Sequence, residues 1–102
     1  MGFFDFLFGT DKKQQVQEMM SKGAIILDVR TKREWDNGHI ANAKHVPLDD
    51  LQNQVEKLKK LNKPIITCCA SGMRSAKAAQ ILKSKNIESI NGGSWLSLKK
   101  KL

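Results

Sequence analysis

The amino-acid sequence predicts an α/β domain with a small, mostly parallel sheet of four to five strands and helices on both faces. Two observations carry this expectation. Helix-like and strand-like segments alternate from residue 10 to the end of the chain, the order that yields parallel strands joined by crossover helices. Residues 24–29 form a continuous apolar run apart from Asp28, as in a strand buried on both faces. A chain of 102 residues has room for a single core and no second domain.

The elements follow in order. Residues 1–9 form a Phe-rich segment ahead of a domain at 10–102, and they hold all four phenylalanines, Phe3, Phe4, Phe6 and Phe8. Phe4, Phe6 and Phe8 alternate as in a strand, whereas Phe4, Leu7 and Phe8 fit a helical turn, and periodicity leaves both open at this length. The rings are expected to dock on the domain and close one side of its core. The other reading is contact with a partner or a membrane surface. Thr10 or Asp11 then caps a helix running to about residue 22, with Gly23 as its stop and Val16, Met19 and Met20 as its inner face. The apolar run at 24–29 is the first buried strand.

Thr31-Lys32-Arg33-Glu34 is a capping-box sequence opening a short helix through Asp36, which Asn37-Gly38 ends. Residues 43–46 read as a brief strand. Asp49 begins an amphipathic helix with Leu51, Val55 and Leu58 on one face and Leu48 and Leu61 at its edges. Asn62-Lys63-Pro64 breaks it, and residues 65–68 form the central strand. A helix from Arg74 or Ser75 to about residue 85 follows, with Ala76 and Ala79 allowing close approach to the sheet. Residues 87–90 are the last strand. Gly92-Gly93 then turns into a terminal helix carrying Trp95, Leu96 and Leu98.

The chemistry concentrates in Cys68-Cys69-Ala70-Ser71-Gly72-Met73-Arg74-Ser75, between the central strand and the next helix. The unpaired N–H groups of a first helical turn and the positive end of the macrodipole favour a thiolate there, and the thiolate is the nucleophile. Gly72 lets the loop curl so that several amides converge on one point. Arg74 puts a cation where the macrodipole disfavours one, which suggests a bound anion. In parallel sheets such sites lie at the carboxyl ends of the strands, where Cys69 falls.

This loop resembles the active-site loop of the rhodanese sulfurtransferases, Cys-x-Ser-Gly-x-Arg-Ser, which residues 69–75 match at every fixed position. Ile26-Leu27-Asp28-Val29-Arg30, then Glu34-Trp35 with Gly38-His39-Ile40, then His45-Val46-Pro47 resemble further family segments in order and spacing. Gly92-Gly93-Ser94-Trp95 resembles the Gly-Gly-x-x-x-Trp region, with its tryptophan earlier than usual. The resemblance covers about residues 23–98 and implies a rhodanese-like fold. It also implies covalent catalysis. Cys69 takes a sulfane sulfur, from thiosulfate or another persulfide donor, and passes it to a thiol or cyanide. Ala70, Ser71, Gly72, Met73, Arg74 and Ser75 bind the substrate, and the loop donors stabilise the negative sulfur. No metal and no cofactor are required. Ala70 stands at a position that is often basic in thiosulfate-using members.

Two alternatives accompany this reading. One is a non-catalytic sulfur-carrier or interaction module with a protein sulfur donor or acceptor. The other counts from Cys68: five residues then separate cysteine from Arg74, as in cysteine phosphatases and arsenate reductases, against four from Cys69. Gly72 fits the shorter register, which makes Cys68 a strand-end side chain pointing into the core, or else a resolving thiol. Asp28, Arg30 and Glu34 are expected to be structural, Arg30 pairing with Glu34 or Asp28 to tie the strand end to the next helix. His39 and His45 are expected to make structural hydrogen bonds, and Trp35 and Trp95 to be core, Trp95 also walling one side of the active-site mouth.

The formal charge is +8. It serves solubility, or steering of small anions or an acidic partner. The absence of Tyr, and of any Arg-aromatic alternation, speaks against a nucleic-acid platform. The small anionic sulfur donor is the expected partner. Two adjacent cysteines do not form a disulfide framework, so the resting state is two thiols, which suits a cytoplasmic, reducing setting.

Overall fold

The computed structural model describes residues 11–102. Phe3, Phe4, Phe6, Phe8 and Thr10, with the docking and capping expected of them, lie outside the described residues. The chain builds α1 (Lys12–Ser21), β1 (Ile25–Asp28), α2 (Lys32–Asp36), β2 (Lys44–His45), α3 (Leu51–Lys60), β3 (Ile65–Cys69), α4 (Met73–Ser84), β4 (Ser89–Ser94) and α5 (Trp95–Lys99). The four strands lie in the order β2-β1-β3-β4, and every pair is parallel.

Side chains alternate across a strand, so β3 divides its residues between two cores. Ile65 and Cys69 join Leu27, Val29 and Ile87 under Leu51, Val55 and Leu58 of α3 and Ala78 and Leu82 of α4. Ile66 and Cys68 join Ile26 and Ile40 under Val16 and Met19 of α1 and Leu98 of α5. Burying a leucine or isoleucine fully contributes about 1.5–3 kcal/mol, so these two clusters hold the helices to the sheet.

Local signals account for most element ends. The Asp11 carboxylate accepts the Gln14 N–H at 2.9 Å and caps α1. The capping box at Thr31 and Glu34 is complete, and Asn37 closes α2. Asn62 takes a left-handed conformation (φ 55°) after α3.

The structure corrects four expectations. Met20 is exposed, because the apolar stripe of α1 has room for Val16 and Met19 and the next residue is turned about 100° away. Residue 76 is exposed too: α4 meets the sheet through Ser75, Ala78, Ala79 and Leu82, a row spaced three and four residues apart. The chain enters α3 through a 3-10 turn, Leu48–Asp50, with no side-chain cap, since the Asp50 carboxylate accepts from the Asn53 and Gln54 amides instead. Finally, Gly92 and Gly93 belong to β4 rather than to a turn. Thr67 pairs with Asn91 but Cys69 pairs with Ser94, so β4 carries an extra residue there, a bulge. A side chain at Gly92 would bring its Cβ within 2.7 Å of the Thr67 carbonyl oxygen.

Candidate active site

Cys69 ends β3, and Gly72 stands at the N-cap of α4 with φ 100°. That left-handed turn folds the loop back over the sulfur. Cys69 Sγ accepts the Gly72 N–H at 3.0 Å and the Ser75 N–H at 3.3 Å, and the Ser75 hydroxyl lies 3.3 Å away. Burial pushes the Cys69 thiol up, but the Ser75 hydroxyl and the N–H groups of Ser75, Gly72 and Ser71 outweigh it, and the thiol lies below its ordinary value. The arrangement holds a negative sulfur in a nest of donors, with the sulfur itself fully covered.

The other expected loop residues divide into three groups. Ser71, Gly72 and Ser75 are drawn to the sulfur. Ala70 and Met73 lie exposed at the rim, Met73 at 80%. The Arg74 guanidinium is engaged bidentately by Glu34, at 2.8 and 3.0 Å. This pair, with the Thr31 N–H, holds the Glu34 carboxyl at about 2. The loop is thereby tied to α2.

Cys68 points to the opposite side of the sheet, among Ile26, Ile66 and Leu98. Burial, and after it the nearby Asp28 carboxylate, push its thiol up to about 12. No loop N–H reaches it among the described residues. Asp28 and Arg30 form a buried ion pair, with Nε and Nη2 of Arg30 at 2.7–3.0 Å from the carboxylate. Arg30 also donates to the carbonyl oxygens of Gly38 (2.7 Å) and Glu34 (3.3 Å), so it ties β1 to α2 through backbone rather than through the Glu34 side chain. Trp95 packs over the Arg30 guanidinium, 4.6 Å from ring centroid to Cζ. His39 and His45 each make one hydrogen bond to a backbone carbonyl, of Trp35 and Arg30. Trp35 is half-buried and stacks with both rings.

Two polar residues escaped the sequence reading. Thr67 donates to the Ser75 carbonyl oxygen at 2.7 Å, fastening the start of α4 to β3. Asn91 donates to the Gly72 carbonyl oxygen at 3.1 Å and accepts the Ser75 hydroxyl at 2.7 Å and the Gly93 N–H at 2.9 Å. The one signal for Thr67 was a polar residue inside an otherwise apolar strand, which does not say which way it faces, and Asn91 lay just past the strand expected at 87–90.

The chain is similar to known proteins. The family described as "Rhodanese-like domain" matches residues 12–97. "Thiosulfate sulfurtransferase GlpE" of Ectopseudomonas mendocina is 31% identical over 78% of this chain and 75% of its own length. "Uncharacterized protein YqhL" of Bacillus subtilis is 33% identical over 69% of this chain, which spans only 57% of that protein. The crystal structure of a "Rhodanese-like Domain Protein from Staphylococcus aureus" superposes with a TM-score of 0.68 at 30% identity, covering 81% of this chain and 86% of that one.

Proposed function

The chain belongs to the rhodanese-like domain family, and from that premise we propose that it is a sulfurtransferase whose Cys69 carries the moving sulfur as a persulfide. One observation carries the reading: the hydrogen-bond donors of the loop converge on Cys69 Sγ and, among the described residues, on no other sulfur. The thiolate attacks the outer sulfur of thiosulfate or of another persulfide donor. A bond forms between Cys69 Sγ and that sulfur as the donor's own S–S bond breaks, and the leaving group, sulfite in the case of thiosulfate, departs with the electron pair. An acceptor thiolate or cyanide then attacks the outer sulfur, and Cys69 leaves as a thiolate. The loop N–H groups stabilise negative sulfur at both stages. No general base is needed when the thiol ionises readily.

The named activity of the GlpE relative supports thiosulfate as a donor. The neutral rim of Ala70 and Met73, with Arg74 already engaged by Glu34, favours a second reading in which a protein persulfide supplies the sulfur. Two free thiols suit the cytoplasm. Intact mass after incubation with thiosulfate, polysulfide or glutathione persulfide tests the proposal. One added sulfur atom is expected on the native protein and on Cys68→Ser, and none on Cys69→Ser. An adduct that survives in Cys69→Ser, or its absence with all three donors, overturns it.

A further inference from the structure

Asn91 does not touch the sulfur, yet its hydrogen bonds define where one proton lies. The Gly72 carbonyl can only accept and the Gly93 N–H can only donate, so the Asn91 amide has a single orientation. Its Oδ1 can only accept, so the Ser75 hydroxyl, 2.7 Å away, donates its one proton there. The Ser75 oxygen is thus held 3.3 Å from Cys69 Sγ with lone pairs free for the S–H.

We propose that Asn91 is a positioning residue for the sulfur chemistry: it holds the Ser75 hydroxyl and the Gly72 N–H at Cys69 Sγ, and lets the Ser75 O–H turn to donate a hydrogen bond to the sulfur when the thiol ionises. When Cys69 loses its proton to solvent, the Ser75 O–H turns from Asn91 Oδ1 to the thiolate. Oδ1 keeps the Gly93 N–H, so no buried acceptor is left unpaired. When sulfur binds a new partner, the hydroxyl turns back. Meanwhile Nδ2 pins the Gly72 carbonyl, which aims the Gly72–Met73 segment and keeps the loop closed.

The charged groups around the sulfur are otherwise engaged. Arg74 on α4 is paired with Glu34 on α2, and Asp28 at the end of β1 is paired with Arg30 just beyond it. Lys12 on α1 sits 2.9 Å from the Asn91 carbonyl oxygen. α3 presents Leu51, Val55 and Leu58 to the cluster that contains Cys69, and Cys68 faces the other side. Asn91 and Ser75 therefore stand alone as side chains hydrogen-bonded toward the sulfur among the described residues.

The inference rests on Cys69 as the reacting sulfur, but its test does not require sulfur transfer. The rate of Cys69 alkylation by iodoacetamide, followed against pH in a Cys68→Ala background, reports the thiol midpoint directly. Asn91→Ala is expected to raise that midpoint by about one pH unit, a roughly tenfold lower thiolate fraction below it. Asn91→Asp, which keeps the shape, is expected to raise it further, because it adds a like charge and cannot donate to the Gly72 carbonyl. In a Ser75→Ala background the Asn91→Ala shift should fall to less than about half. An unmoved midpoint in a folded Asn91 variant, or an equal shift without Ser75, overturns the proposal. If neither variant folds, Asn91 serves stability alone and the proposal falls. Loss of sulfur transfer with these shifts intact would instead count against the function proposed above.

Discussion

Cys68 and Cys69 share a peptide bond and face opposite sides of one strand. The first lies in an apolar cluster beside a carboxylate, with its thiol pushed up to about 12. The second lies in an equally buried place but receives backbone and hydroxyl donors, and its thiol is lowered. Burial alone raises a thiol, so exposure does not separate the two. The difference is the supply of donors. It arises because the pleat of β3 turns Cys69 toward the start of α4, where four unpaired N–H groups are available.

The largest expected consequence is in reactivity. A thiol with a pKa of about 12 is ionised to about one part in 10⁵ near neutral pH. Alkylation of the folded protein should therefore give a single adduct on Cys69, with Cys68 modified only after unfolding. Fragment-ion mass spectrometry reads the site, and rapid labelling of Cys68 in the native state would break the comparison.

The next consequence is in stability, and the two thiols act with opposite sign. The Cys68 value in the folded state stands above the unfolded value of about 8.5. Its contribution is fully present below that value and is lost as pH rises toward 12. The Cys69 value is lowered, so its contribution is present above the unfolded value and lost as pH falls through the folded one. Each uncompensated proton changes stability by about 1.4 kcal/mol per pH unit. Urea unfolding across the alkaline range should show Cys68→Ala losing less stability than the native protein. Cys69→Ala should differ below the unfolded value instead, with a weaker rise of stability with pH. Equal slopes in the two variants would mean that the faces do not distinguish the thiols.

The smallest effect is at the rim. Ala70 is exposed and Arg74 is held by Glu34, so little positive charge is free beside the sulfur. Ala70→Arg should raise kcat/KM for thiosulfate by about two- to fivefold, the scale of an exposed charge contact, and added salt should erode the gain. An unchanged kcat/KM would show that the loop amides already bind the anion fully.

The site was readable from sequence where chemistry is local. A Cys-x-Ser-Gly-x-Arg-Ser spacing between strand and helix specifies a nest, because Gly72 alone there takes the left-handed turn freely and the N–H groups follow from the helix start. The capping box at Thr31 and Glu34 was readable for the same reason, since its partners lie three residues apart. Arg74 was not. As a cation at a helix start it pointed to a bound anion, whereas its partner Glu34 stands 40 positions away. Ala76 and Met20 failed at the level of a single helical step, which propensity does not resolve.

By itself the sequence determined the alternation of elements, the buried parallel strands, the register of the loop from Cys69 and the family resemblance. Each depends on residues within a few positions of one another, or on patterns that the backbone period imposes. The tertiary structure alone decided which polar residues serve the sulfur. Asn91 and Thr67 reach the loop across β3 and β4, and Glu34 reaches Arg74 from α2. Those contacts exist because parallel pairing and the bulge at Gly92–Gly93 bring distant segments together at the carboxyl end of the sheet, and no local period encodes that approach.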